Sequence, residues 1–123
     1  MLKKVAFTMY PVTDVAAARS FYETQLGLTT GLMGGQGDQQ WVEYDLPGGG
    51  CLAITNATPN APSASQGGTI AFEVENLDAL MARLKDEGVE FRTDVIRGPH
   101  CRMAVCLDPS GNGVLLHQLD APD

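Results

Sequence analysis

Apolar residues recur at helical spacing twice along the chain. Val15, Ala18, Tyr22 and Leu26 fall on one face, and so do Leu77, Leu80, Met81 and Leu84. Each pattern opens on a side chain able to accept a hydrogen bond from a first-turn amide, Asp14 or Asn76. Each closes on a glycine, Gly27 or Gly88, suited to the left-handed position just past a helix end. Around the helices, shorter runs alternate apolar and polar residues with the strand period. They predict strands over Lys4–Tyr10, Thr29–Met33, Trp41–Leu46 and Cys51–Thr55. A second set follows over Thr69–Glu75, Glu90–Ile96, Arg102–Leu107 and Gly113–Gln118. Gly34 to Asp38, Pro47 to Gly50 and Asp108 to Asn112 are turns by composition.

The two sets share one grammar. The caps are offset by 62 positions (Asp14 to Asn76) and the closing glycines by 61 (Gly27 to Gly88), a one-residue gap in the second helix. Each half reads β-α-β-β-β: repeat 1 over 1–56, a Pro-, Ser- and Asn-rich linker over 57–68, and repeat 2 over 69–123. A half of about sixty residues is marginal alone, so the expectation is one domain over 1–123. The fold class is α+β, with two βαβββ repeats forming a cupped eight-stranded mixed sheet and the helices on its outer face.

Composition narrows the partners. Eight Lys and Arg against fifteen Asp and Glu give a net charge of −7, which repels a phosphodiester backbone, so no nucleic-acid partner is expected. No run reaches the ~20 apolar residues of a membrane span, so no membrane partner is expected either. The apolar stretch Val5–Val12 behind Lys3 and Lys4 contains Thr8 and Pro11 and lacks a small-residue cleavage site, so it reads as a strand rather than a leader. Three cysteines, Cys51, Cys101 and Cys106, have no Cys-x-x-Cys spacing, and a reduced, cytoplasmic protein is the simplest account.

Asp14 before the helix, Phe21-Tyr22, Leu26-Gly27-Leu28, and then Asp108-Pro109-Ser110-Gly111-Asn112 before a closing strand resemble the vicinal oxygen chelate superfamily. That group includes glyoxalase I, fosfomycin and bleomycin resistance proteins, and extradiol dioxygenases. The resemblance implies a divalent metal held by one residue from each of four strands, polarising neighbouring substrate oxygens. Counting from Asp14 and Asp108 and applying the two offsets carries the four ligand positions onto Phe7, Ile54, Thr69 and Leu115. Three of these offer no donor atom and Thr69 is a weak one, so no metal and no cofactor are expected. The resemblance to bleomycin resistance proteins also implies a homodimer.

Strand alternation then sorts candidates for a small-molecule ligand. Phe7, Met9, Leu52 and Ile54 are expected to line the floor of the cup, with Thr69, Glu73, Leu115 and His117 facing it. His117 suits a general base or a hydrogen-bond anchor, and Glu73 is near enough in register to form a metal-free catalytic dyad with it. The plain alternatives are a half-exposed histidine and a carboxylate at the rim. Arg102 is placed on the cup side with Ala104 and Cys106, opposite Met103, Val105 and Leu107. It reads as a clamp for an anion or as half of a surface ion pair. Trp41, the only tryptophan, shares a strand face with Glu43 and suits a planar or cationic ligand or a subunit interface.

Two classes of function follow. The first is a metal-independent small-molecule binding protein of the glyoxalase/bleomycin resistance type, with the ligand held in the sheet cup or a dimer cleft. The second is a glyoxalase-like lyase or isomerase acting on a small carbonyl or thioester, either through His117 and Glu73 directly or through a metal held by other residues. Enzymatic activity is left open between them, as is a regulatory module with no small ligand.

Overall fold

The computed structural model describes residues 1 and 3–121 and divides into two compact units, Met1–Pro62 and Ser63–Asp123. In the first unit, strand β1 (Thr8–Pro11) leads to helix α1 (Val15–Arg19), which runs on as a π-helical turn over Ser20–Gln25. Strands β2 (Thr30–Gln36), β3 (Gln39–Asp45) and β4 (Cys51–Thr55) complete a four-stranded sheet of order β1-β4-β3-β2. β1 lies parallel to β4, and the other neighbours are antiparallel.

The second unit repeats this plan. β5 (Ile70–Glu73) precedes α2 (Leu77–Asp86), and β6 (Ile96–Arg97), β7 (Cys101–Leu107) and β8 (Gly113–Leu119) follow, in the order β5-β8-β7-β6. Two four-stranded mixed sheets, each with one helix, make the α+β class and the doubled βαβββ plan plain.

Both helices start where a side chain satisfies a free amide. Asp14 accepts from Ala17 N–H and Asn76 from Ala79 N–H, each at 3.0 Å. The π turn explains the mismatch between the offsets of 62 and 61. Leu26 N–H reaches back to Phe21 O, five residues rather than four, so one extra residue is absorbed inside the first helix. The strands beyond it return to an offset of 62: Met9 pairs with Ala53 as Ala71 pairs with Leu115.

One face of each sheet is covered by its helix. In the first, Tyr10, Val42, Tyr44, Leu52 and Ile54 are buried there, and Tyr22 of the helix packs against Tyr44 at 6.0 Å between ring centres. The Tyr44 hydroxyl donates to Glu23 Oε2 at 2.8 Å, and Arg19 donates to both oxygens of the same carboxylate. Glu23 is held below the usual carboxylate range by Arg19, with Tyr44 assisting, and Tyr44 is pushed up by burial and by Glu23. In the second sheet Phe72, Ala104, Cys106, Val114 and Leu116 occupy the covered face.

Only β4 keeps the bounds expected of it, and the larger differences lie in three places. The first strand pairs only from Thr8. The turn expected over Gly34–Asp38 shrinks to Gly37-Asp38, because β2 and β3 extend to Gln36 and Gln39. Gly35 permits this extension: its φ is +125°, and a Cβ there would lie 2.1 Å from Gln39 O. The strand expected over Glu90–Ile96 keeps only a bridge at Phe91 and the pair Ile96–Arg97. Between them the Thr93 hydroxyl, not a backbone carbonyl, accepts from Val105 N–H at 3.0 Å and breaks the ladder.

Candidate functional site

The face of each sheet not covered by its helix carries the candidate chemistry. On the first sheet this face holds Met9, Trp41, Glu43 and Cys51, with Ala53 and Thr55 on the interior strand β4, and Phe7, just before β1, packs onto it at Trp41. Phe7 meets Trp41 edge-on, with ring centres 5.2 Å apart and planes at 86°. Phe7 is 44% exposed, a large value for an aromatic side chain. The indole N–H donates to Glu43 Oε2 at 2.7 Å, which fixes the ring's orientation and keeps a carboxylate beside it. Cys51 Sγ lies 3.8 Å from the other oxygen of Glu43. Partial burial, then the Glu43 and Asp45 charges, push the Cys51 thiol up, so it is a poor nucleophile.

Ile54 and Leu52 are corrections. Both lie on the helix-covered face with no exposed surface, and Ala53 takes the helix-free position between Met9 and Glu43. The expectation carried the 61-residue offset of the closing glycines into the strands. The extra residue is confined to the π turn, and a one-residue slip in a strand exchanges its faces.

On the second sheet the helix-free face holds Ala71, Glu73, Met103, Val105, Leu115 and His117, and Thr69 lies exposed just before β5. Here the structure brings the two candidate acid–base residues together. His117 Nδ1 lies 2.7 Å from Glu73 Oε1, and Leu119 N–H donates to Glu73 Oε2 at 2.7 Å. The carboxylate is thus held at both oxygens, and it is drawn below its usual value, first by His117 and then by the Leu119 amide. The His117 side chain is 25% exposed and that of Glu73 53%, so the pair sits at a wet margin rather than in an enclosed apolar cup.

Arg102, with the rest of β7, is the other correction. Met103 pairs with His117 and Val105 with Leu115, which puts them on the helix-free face and Arg102, Ala104 and Cys106 on the helix side. Arg102 donates to Asp78 of α2 at 3.0 Å and to Gln118 Oε1 at 3.1 Å, and that same Gln118 oxygen accepts from Leu77 N–H at the helix start. Arg102 therefore ties the helix N-terminus to the sheet. Both faces of β7 are apolar enough to pack, so alternation alone left its orientation ambiguous, and pairing with β8 decides it. Gln118, outside the expected site, and Met103, expected in the core, take their places only through that register.

At the strand offset of 62, the four ligand positions that the resemblance implies fall on Phe7, just before β1, Ala53 in β4, Thr69, just before β5, and Leu115 in β8. A phenyl ring, a methyl group and an isobutyl group offer no lone pair, and one hydroxyl does not make a divalent-metal site, so these residues do not fit the metal. Among the described residues, no group of three or more His, Cys, Asp or Glu side chains is placed to hold one.

The sequence model of the Glyoxalase/Bleomycin resistance protein/Dioxygenase superfamily matches residues 4–116. DauV, an anthracycline biosynthesis protein of Streptomyces sp. (strain C5), is 29% identical over 108 residues, covering 86% of this chain and 38% of DauV. The chain thus spans well under half the length of that curated relative. Among solved structures, TnmS3, an antibiotic binding protein from Streptomyces sp. CB03234, superposes with a TM-score of 0.81 at 26% identity, over 97% of this chain and 98% of that one. A glyoxylase/bleomycin resistance protein/dioxygenase domain from Frankia sp. EAN1pec gives a TM-score of 0.78 at 19% identity, over 100% and 96%, a likeness of fold. With the family pattern running from residue 4 to residue 116 and the doubled βαβββ plan in place, the chain belongs to the Glyoxalase/Bleomycin resistance protein/Dioxygenase superfamily.

Proposed function

We propose that this protein binds small, planar aromatic antibiotics without a metal, on the helix-free faces of its sheets. The observation that carries the reading is the open Phe7–Trp41 pair, with Glu43 held beside the indole. Two edge-on rings give a planar ligand an apolar surface, and the carboxylate and the acid excess favour one bearing a positive charge. An antibiotic binding protein among the relatives supports the same reading. As part of it, the protein acts as a cytoplasmic homodimer. Sedimentation of the purified protein at micromolar concentration tests the dimer.

The binding test uses daunorubicin, a planar anthracycline with a cationic amino sugar. Its addition is expected to quench Trp41 emission saturably, and Phe7→Ala is expected to weaken the affinity about tenfold. Trp41→Ala, followed by calorimetry, should do at least as much. Absence of saturable binding by daunorubicin and by uncharged planar aromatics overturns the reading.

A second reading, a glyoxalase-like lyase or isomerase acting on a small carbonyl or thioester, is favoured by the contact between Glu73 and His117. Turnover that survives chelation and is lost in His117→Ala while ligand binding persists would establish it.

A further inference from the structure

The second sheet carries an acid–base pair that the fold itself does not require. The strands of the two repeats match at an offset of 62, and Glu73 and His117 correspond to Pro11 and Thr55. The backbone contact beside them is the same in both: Val12 N–H donates to Thr55 O, and Val74 N–H to His117 O. In the first repeat this strand end closes with a proline and with a threonine whose hydroxyl donates to Gln40 O and accepts from Ala57 N–H, with no ionisable group. The same ladder in the second repeat ends on a carboxylate and an imidazole.

The geometry of the pair fixes which nitrogen is available. An ionised Glu73 at 2.7 Å from Nδ1 requires a proton on Nδ1, whether the ring is neutral or charged. Leu119 N–H, on the other carboxylate oxygen, keeps Glu73 from turning away. Nε2 is then the acceptor in the neutral ring, and it has no hydrogen-bond partner among the described residues. Met103 is paired across from His117, and Leu115 and Ala71 lie one step along the same face. A single oriented lone pair beside apolar side chains suits a weakly acidic hydroxyl on a flat apolar molecule.

We infer that His117 Nε2, oriented by Glu73, receives the phenolic or enolic hydroxyl of an aromatic ligand on the helix-free face of the second sheet. This deepens the reading of the protein as a binder of planar aromatics and rests on it. The hydroxyl O–H proton moves to Nε2: the O–H bond breaks, an N–H bond forms, and the imidazolium stays between the ligand's oxyanion and the Glu73 carboxylate. No other reactant is consumed. His117 touches the ligand, and Glu73 is a positioning residue.

The test uses 7-hydroxycoumarin, whose excitation spectrum separates phenol from phenolate, against 7-methoxycoumarin, which has the same plane and no acidic proton. The wild-type protein is expected to bind the hydroxy compound about tenfold more tightly than the ether and to enrich the phenolate excitation band. His117→Phe should abolish both the preference and the band while still binding the ether. Glu73→Gln keeps an acceptor for Leu119 N–H and removes the charge, so it should lose the band while its unfolding transition stays near that of the wild type. A merely structural role for Glu73 would leave the band unmoved in this folded variant. Equal affinity for the two coumarins, or a preference that survives His117→Phe, overturns the inference and leaves the binding reading standing. Failure of the protein to bind either coumarin overturns the inference, and the daunorubicin titration then decides the reading beneath it.

Discussion

Replacing Ile54 with alanine separates the core of the first sheet from its binding face. Ile54 has no exposed surface, and its ladder partners Val42 and Tyr10 are buried with it beneath the helix. Ile→Ala removes three carbons. At about 0.8 kcal/mol for each, the lost burial is about 2.4 kcal/mol, and the cavity left among stiff neighbours raises the cost to about 3–4 kcal/mol. For a chain of this length that corresponds to a fall of about 10–15 °C in Tm. Daunorubicin affinity, measured well below the new transition, should change less than about twofold. Phe7→Ala is the counterpart. Its ring is 44% exposed, so the variant should lose about 1 kcal/mol of stability or less while weakening binding about tenfold. Thermal unfolding by circular dichroism, paired with fluorescence titration, reads both quantities. An Ile54→Ala protein that melts within about 2 °C of the wild type and no longer binds would put residue 54 on the open face and refute the strand register.

Arg102→Met should leave ligand affinity unchanged and cost about 1 kcal/mol, mostly from the lost hold on Gln118, since Asp78 is too exposed for its ion pair to count for much; chemical denaturation reads the cost. Burial pushes the Cys106 thiol from its ordinary 9.0 to about 12, so above pH 9 the unfolded chain releases a proton that the folded chain keeps. Stability therefore holds below pH 9 and falls as pH rises toward 12, by about 1.4 kcal/mol per pH unit; Cys106→Ala should make that slope shallower in urea titrations. Glu23 has the opposite sign. Its contribution is fully present above 4.5, is lost as pH falls through the lowered folded value, and should vanish from the acid slope in Glu23→Gln. In a native thiol titration, Cys101 should react with an aromatic disulfide reagent, Cys51 more slowly because its thiol is pushed up, and buried Cys106 only after denaturant is added.

The sequence pattern located what local chemistry controls. Both N-caps bond as their residue types require, Gly27 and Gly88 take φ of +75° and +88°, and β4 spans the residues expected of it. The contact between Glu73 and His117 was also legible, because both lie in strands whose apolar faces, Phe72 on one and Val114 with Leu116 on the other, are unambiguous. Errors arose where a single position carries the outcome. The π turn hides one residue inside a helix, and nothing in Ser20–Gln25 announces it. Extending that residue into the strands turned Ile54 from core to site. β7 failed for a different reason: Met103, Val105 and Leu107 are larger than Ala104 and Cys106, yet the small residues are the ones that sit beneath the helix.

The two repeats act as controls on each other. On the helix-covered faces the matched pairs stay apolar: Tyr10 with Phe72, Val42 with Ala104, Leu52 with Val114, Ile54 with Leu116. Those positions answer to packing, which tolerates changes of size and not of polarity. On the helix-free faces the matched pairs diverge in chemistry: Trp41 with Met103, Glu43 with Val105, Pro11 with Glu73, Thr55 with His117. A strand end that folds with Pro11 and Thr55 does not need a carboxylate and an imidazole to fold, and a strand that folds with Met103 and Val105 does not need an indole bonded to a carboxylate. Packing accounts for one face of each sheet and leaves the other unexplained. The same residues that packing leaves unexplained are those able to hold and orient a ligand, Phe7, Trp41 and Glu43 on one sheet, and Glu73 and His117 on the other.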